Sequence, residues 1–344
     1  MYVDDLLASG EENLTRELLG ELSTELEFSA PEPISKYLGC VHSFIRNGDV
    51  TEVEFGMQDY CLHSLTEFGE KEGHKFKSVP TPYAPELPDA EVSALVEQTG
   101  RFQDSCAHYL MQLLYAARQA KPDLIVAITR LASYITRWNA NCDRKLIRLY
   151  DYLWTHQQRC LKGSLDVSDA TTLVVKAWPD ADLAGDKDSS TKSTSGRFIE
   201  VSGASGLCMP IQWATQKQGG TAQSTPDAET VSLSECMRLE ALPIQQLFSL
   251  ILGRPVELLV LEDNEPCIKA IRKGYSNNLR YLPRVQRTSI GFLHDLFETP
   301  PPDTWGECRL MHHGGDTHKG DVFTKEIHCA MIYNDHLRRI GMVG

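Results

Sequence analysis

Thr172–Gly196, TLVVKAWPDADLAGDKDSSTKSTSG, is the stretch on which the reading of this chain turns. An apolar, β-branched run (Leu173, Val174, Val175) leads through Trp178 and Pro179 to Asp180, and a loop dense in Asp, Ser, Thr and Gly follows. That pattern predicts a strand with a carboxylate delivered to its end. Three acids downstream repeat the arrangement of a carboxylate at the edge of an element: Glu229, Asp263 and Asp321. A ring of four such acids is what a two-metal phosphodiester hydrolase requires, because two Mg²⁺ ions about 4 Å apart need concentrated anionic oxygen around them.

The elements around those acids follow from local signals. Arg197–Gly203 and Pro210–Gln216 read as short strands separated by a Gly/Ser turn. Ser224-Thr225-Pro226 offers N-cap residues and a first-turn proline to a helix running to about Leu252, with Gly253 as its stop, and Glu229 falls in its first turn. Val256–Leu261 is a buried-strand run ending at Glu262-Asp263-Asn264. Pro266–Lys273 and Arg284–Phe297 predict helices, Glu307–His312 a last strand, and Asp316–Ile327 a final helix carrying Asp321. Asp180 and Asp263, on neighbouring strands, would then share one edge of a sheet, where α/β folds bind ligands.

Ahead of this region, Ser78–Pro88 (SVPTPYAPELP) reads as a linker or extended crossing. Helical periodicity covers Arg101–Ala120, a stretch opening at Pro122, and about Asp143–Arg159. Between Thr129 and Gly163 the bases outnumber the acids, and Arg144, Lys145 and Arg148 are candidates to touch a duplex backbone. The whole chain of 344 residues nevertheless carries a formal charge of −13, and Met1–Glu32 is strongly acidic, which argues against tight nucleic-acid binding over most of the surface. Ten scattered cysteines without a C-x-x-C pair argue against a disulfide framework or zinc ribbon and predict a reducing, intracellular setting. No apolar run is long enough to span a bilayer, so no membrane partner is expected. Cys308, His312, His313 and His318 fit no compact tetrahedral zinc spacing.

Several words of the sequence carry a resemblance. Met1–Leu7 contains YVDD (Tyr2–Asp5), which resembles the catalytic hairpin of reverse transcriptases, with Asp4 and Asp5 at its tip. Tyr37-Leu38-Gly39-Cys40 is similar to the "YLG" segment that follows in copia-type retrotransposon polymerases, and Tyr109–Ile128 and Arg144–Gly163 resemble their connection. PDADLAGDKDSSTKSTSG, STPDAE, VLEDN and GDVFTK resemble "SDADWAGD…RKSTSG", "SSTEAE", "VYCDN" and "ADIFTK". The chain thus resembles the C-terminal part of a copia-type LTR retrotransposon Pol polyprotein.

The resemblance implies three parts: residues 1–90 as a reverse-transcriptase palm remnant, 91–168 as a helical thumb and connection, and 169–344 as a ribonuclease H-like domain, a mixed α/β sheet flanked by helices. It implies metal-dependent hydrolysis of RNA in RNA–DNA hybrids, with Asp180, Glu229, Asp263 and Asp321 holding two Mg²⁺ (Mn²⁺ as a substitute) and Lys192 and Arg284 as phosphate contacts. Reverse transcription needs a third aspartate on an earlier strand, so polymerase activity is expected only with further N-terminal sequence. The missing polymerase or integrase parts of the polyprotein are the other expected partners. An integrase core would want its third acid on a late helix, where Glu298 abuts a proline break. Pro179, Leu183, Thr230 and the loop Asn278–Thr288 depart from the family words and bear on substrate positioning. The competing expectation is a catalytically inactive retroelement fragment or a hybrid-binding module.

Overall fold

The structure, a computed structural model, describes residues 6–27, 29–185, 191–302 and 305–344. Asp4 and Asp5, and the hairpin expected around them, lie outside the described residues. The described strands, in chain order, are β1 (Lys36–Tyr37), β2 (Cys40–Asn47), β3 (Val50–Gly56), β4 (Cys160–Asp166), β5 (Val174–Asp182), β6 (Thr194–Ser202), β7 (Cys208–Lys217), β8 (Glu257–Glu262), β9 (Cys308–His312) and β10 (Met342–Val343). They form two five-stranded sheets in a fold that mixes helix and sheet.

The first sheet is antiparallel throughout, in the order β1-β2-β3-β4-β10. Its helices, Gln58–Glu72, Cys106–Gln119, Ile125–Ala132 and Ala140–Thr155, bury the apolar stripes that periodicity predicts, with Leu110, Ile128, Leu146 and Leu149 fully enclosed. The proline-rich stretch expected as a linker is docked on the last of these helices. Val79 N–H donates to Thr155 Oγ1 at 3.0 Å, and Thr81 and Tyr83 are buried.

The second sheet runs β7-β6-β5-β8-β9, with β5, β6 and β7 antiparallel and β5, β8 and β9 parallel. It is covered on both faces, which is why every residue of β6 is buried. Ile199 and Val201 join Val175 and Ala177 beneath the helices that follow, whereas Phe198, Trp178 and Trp213 belong to the core of the first sheet. The two sheets therefore share one continuous apolar cluster, stitched by Trp213 Nε1–H donating to the Ala117 carbonyl at 2.8 Å.

Three expected elements take a different form. The helix predicted from Ser224 to Leu252 runs Thr225–Cys236 and Leu242–Leu252 with a π turn, Met237–Ala241, between. Pro243 has no N–H to continue an α ladder, and the widened turn just ahead of it accommodates the loss. The Arg284–Phe297 helix is split into Leu282–Val285 and Ile290–Glu298, with Arg287 at φ 56° between them and Ser289 capping the second piece.

The helix expected over Asp316–Ile327 is absent. Two 3₁₀ turns, Gly315–Thr317 and Asp321–Phe323, stand there instead, and Asp321 opens the second. Gly314, Gly315 and Gly320 weaken any helix in this stretch. Gly320 also lies against Asp180, where a Cβ would come within 2.7 Å of the Asp180 Cβ. The last α-helix is Ala330–Arg339, which leads into β10 beside β4. The end of the chain thus returns to the first sheet, across the division expected between residues 168 and 169.

Candidate active site

β5 and β8 pair in parallel register, with Ala177 opposite Val260, and three further residues along each strand bring Asp180 level with Asp263. Asp263 is fixed by the turn after it, because Asn264 caps the next helix by accepting a bond from Cys267 N–H at 2.9 Å. Glu229 sits one turn inside the Thr225–Cys236 helix, not in its first turn, and Ser232 Oγ–H pins that helix to β5 by donating to the Asp180 carbonyl at 2.7 Å. Asp321 arrives from the 3₁₀ turn, which can approach because Gly196, opposite Asp180 on β6, leaves room for Phe323 and Thr324.

The four predicted acids converge. One oxygen from each of Asp180, Glu229 and Asp263 lies within 4.8 Å of the others, and Asp180 and Asp321 form a second group with His318 at the same limit. Asp180 and Glu229 are buried. Burial pushes the Glu229 carboxyl well above its usual range, with Glu262, Asp180 and Asp263 adding to the rise. Burial likewise raises Asp180, offset by Lys325 and reinforced by Asp321. Glu229 Oε2 is buried without a hydrogen-bond partner. An all-oxygen donor set with an unsatisfied carboxylate suits a hard divalent cation of the Mg²⁺ or Mn²⁺ type.

His318 is not available to such an ion. Gly320 N–H donates to its Nδ1 at 3.2 Å, so Nε2 carries the proton and donates to the Leu261 carbonyl at 2.8 Å. Both nitrogens are committed, and the ring braces the end of β8 against the segment bearing Asp321. Cys308 donates to Gln245 Oε1, and it forms no metal-binding group with the histidines among the described residues.

Four contributors were not singled out in the sequence. Glu262 is fully buried beside the ring. Burial drives its carboxyl well above the usual range, a bond from Asn264 N–H opposes that, and Asp263 and Asp180 add to it. Thr324 Oγ–H donates to Asp180 Oδ2. Lys325 Nζ lies 2.5 Å from Asp321 Oδ1 and 3.8 Å from Asp180 Oδ1. Burial would lower its pKa, but Asp180 and Asp321 raise it further, so the ammonium stays charged. Thr324 and Lys325 belong to the quoted GDVFTK word; Glu262 had no signal beyond its place before Asp263.

The fourth is Arg130, from the helix Ile125–Ala132. Its Nη2 donates to Asp182 Oδ2 at 2.9 Å and to the Thr324 carbonyl at 3.0 Å, and its Nη1 lies 3.4 Å from Glu326. One guanidinium thereby joins the end of β5 to the segment carrying Asp321 and Lys325. Arg130→Met is expected to cost about 3 kcal/mol in urea unfolding, because Asp182 and Glu326 stay part-buried without their partner, and Arg130→Lys should recover only part of it.

The predicted phosphate contacts lie elsewhere. Arg144 donates to the Pro85 carbonyl at 2.7 Å and Arg148 to the Thr81 carbonyl at 2.9 Å, so both hold the proline-rich segment to its helix. Lys145 lines a 460 Å³ cavity with Arg130, Arg144, Glu326 and His328. Lys192 and Arg284 are exposed, on the loop before β6 and the short Leu282–Val285 helix.

Comparison with known proteins bears on this arrangement. No protein-family model matches the chain. It is 27% identical over its whole length to the retrovirus-related Pol polyprotein from transposon RE2 of Arabidopsis thaliana, of which it covers 22%. Over 68% of its length it is 27% identical to the Pol polyprotein from transposon TNT 1-94 of Nicotiana tabacum, covering 17% of that protein. The chain is similar to part of retrotransposon Pol polyproteins. A putative transposon Ty5-1 protein of Saccharomyces cerevisiae is 26% identical over 68% of this chain, and 71% of that protein is covered. Among solved structures, prototype foamy virus protease–reverse transcriptase matches 50% of the chain and 21% of its own, at 12% identity and a TM-score of 0.24, too slight a likeness to carry a fold argument. Among the described residues no helix is long and apolar enough to cross a membrane.

Proposed function

We propose that the second sheet is a ribonuclease H-like nuclease that hydrolyses RNA in RNA–DNA hybrids with two divalent cations, Mg²⁺ or Mn²⁺ in its place. The observation that carries this reading is the convergence of Asp180, Glu229 and Asp263, from two parallel strand ends and a helix, with Asp321 beside them. Ion pairing with Lys325 accounts for Asp180 and Asp321 but not for Glu229, which keeps a buried oxygen without a partner. Asp180, common to both acid groups, would be the shared ligand, with Glu229 and Asp263 on one side and Asp321 on the other.

The bound cations would supply an activated water and stabilise the leaving 3′ oxygen. The chain's own part is orientation. Ser232 and Thr324 hold the Asp180 backbone and carboxylate, Asn264 fixes the turn after Asp263, and His318 keeps the Asp321 segment against β8. The resemblance of the motifs around the four acids to copia-type ribonuclease H, beside similarity to proteins named as Pol polyproteins, supports a nucleic-acid hybrid as the substrate class.

Cleavage of an end-labelled RNA–DNA hybrid by the purified chain in Mg²⁺ or Mn²⁺ tests the proposal. Cutting that EDTA stops, and that Asp263→Asn removes, is the expected outcome. A folded wild-type chain that leaves the hybrid intact in both metals would overturn it, and a filter-binding titration against salt would then show whether the chain binds hybrid at all.

A further inference from the structure

The acid ring is lopsided in charge. On the Asp180–Asp321 side, the Lys325 ammonium lies 2.5 Å from one carboxylate and 3.8 Å from the other, and the Thr324 hydroxyl occupies Asp180 Oδ2. The placement is enforced by the backbone: Lys325 N–H donates to the Asp321 carbonyl at 3.0 Å, closing the turn, and Arg130 grips the Thr324 carbonyl. On the other side, Glu229 has a buried oxygen without a partner and Glu262 adds a further buried carboxyl nearby. The protein already sets one positive charge against the Asp180–Asp321 half of the ring, and none of the described side chains does the same for Glu229.

We propose that Lys325 is a displaceable internal counter-ion that holds the Asp180–Asp321 half of the ring. The protein alone then takes one divalent cation, at Asp180, Glu229 and Asp263, and a second only when Lys325 withdraws. The ammonium, 2.5 Å from Asp321 Oδ1 and 3.8 Å from Asp180 Oδ1, takes the position that a dication bridging those two carboxylates would need, and its charge repels a dication placed beside it. The Lys325 side chain is 42% exposed, so its tail has solvent to move into, unlike a sealed ion pair. A phosphodiester backbone arriving at the ring offers that ammonium another anion, which links occupation of the second position to bound nucleic acid. The inference rests on the metal-dependent nuclease reading above.

Mn²⁺ titration of the full chain, by calorimetry and by the paramagnetic signal of the free ion, separates the two. Wild type and Lys325→Arg are expected to bind one ion, whereas Lys325→Met binds two, its second site tightened about tenfold or more by loss of the neighbouring positive charge. Wild type taking two ions, or Lys325→Met still taking one, would overturn the counter-ion role while leaving hybrid cleavage and the nuclease reading intact. If no variant binds an ion, or if Asp263→Asn binds as wild type does, the nuclease reading falls and this inference with it. Thermal melts of each variant confirm that a changed count reflects the site; Lys325→Arg, which keeps the charge, serves as the folded control.

Discussion

Asp180→Asn is expected to abolish metal-dependent hybrid cleavage, by at least about 100-fold, while raising the melting temperature of the metal-free protein at pH 8. The first effect follows because Asp180 is the carboxylate common to both acid groups, and losing a shared ligand removes several kcal/mol of charge stabilisation, about 1.4 kcal/mol per tenfold in rate. The second follows from the sign of the pKa shifts. Burial raises Asp180, Glu229 and Glu262 above their usual carboxyl values in the folded protein. A carboxyl raised by folding contributes its full stability below the unfolded-state value, about 4 for these side chains, and loses it as the pH climbs through the folded value. In EDTA the wild type should therefore melt lower at pH 8 than at pH 5, and added Mg²⁺ should narrow the gap. Asn keeps the shape of Asp180 and can still accept the Thr324 hydroxyl, so the variant loses charge repulsion without losing that bond. Melting curves from pH 5 to 8, beside cleavage rates, check both halves. A variant that cuts at the wild-type rate removes Asp180 from the chemistry.

The opposing effects on activity and stability explain which parts of this site were legible in the sequence. Asp180 and Asp263 could be found because each ends a strongly apolar strand, and the parallel pairing of β5 with β8 is a consequence of that order. Glu229 could be found because Ser224-Thr225-Pro226 marks a helix start. The sequence offers Asp321 as an acid near the end of the chain on a helix, whereas it opens a 3₁₀ turn. Its 3₁₀ turn is dictated by contacts invisible in a linear pattern: Gly320 against Asp180, Thr324 against Gly196, and Arg130 on the Thr324 carbonyl. The same holds for Arg144 and Arg148. A basic helix face reads as a surface for phosphates, and only the tertiary structure reveals that carbonyls of the Ser78–Pro88 stretch use them. Glu262 gives no sequence signal of its own, because a carboxylate at the end of a strand ordinarily points to solvent. Here the second sheet is covered on both faces, and the side chain is sealed beside the ring.

A chain ending at Cys329 is expected to lose cooperative unfolding, although every predicted acid precedes that point. Tyr333, Leu337, Ile340 and Met342 are each at most 2% exposed and belong to the core of the first sheet. Burying four such side chains contributes about 2 kcal/mol each, about 8 kcal/mol together, against a typical total of about 5–15 kcal/mol for a folded protein. The loss also leaves buried polar groups unpaired. Tyr333 O–H donates to the Asp123 carbonyl at 2.5 Å, Arg159 donates to Asn334 Oδ1 at 2.8 Å, and the Gly341 carbonyl accepts from Lys162 N–H at 2.8 Å. The damage should reach the acids, because the apolar cluster that loses Tyr333 also contains Val322 and Phe323, and Phe323 stacks on Phe198 of β6 with ring centroids 5.7 Å apart. Near-ultraviolet circular dichroism and a urea titration would register the collapse. Tyr333→Ala gives the graded form, at about 3–5 kcal/mol for a buried aromatic truncated to alanine. If the shortened chain unfolded as sharply as the full one and within a few degrees of it, the return of the C-terminus to the first sheet would be a surface attachment, and the second sheet would stand on its own core of Val175, Ile199, Leu258 and Val260.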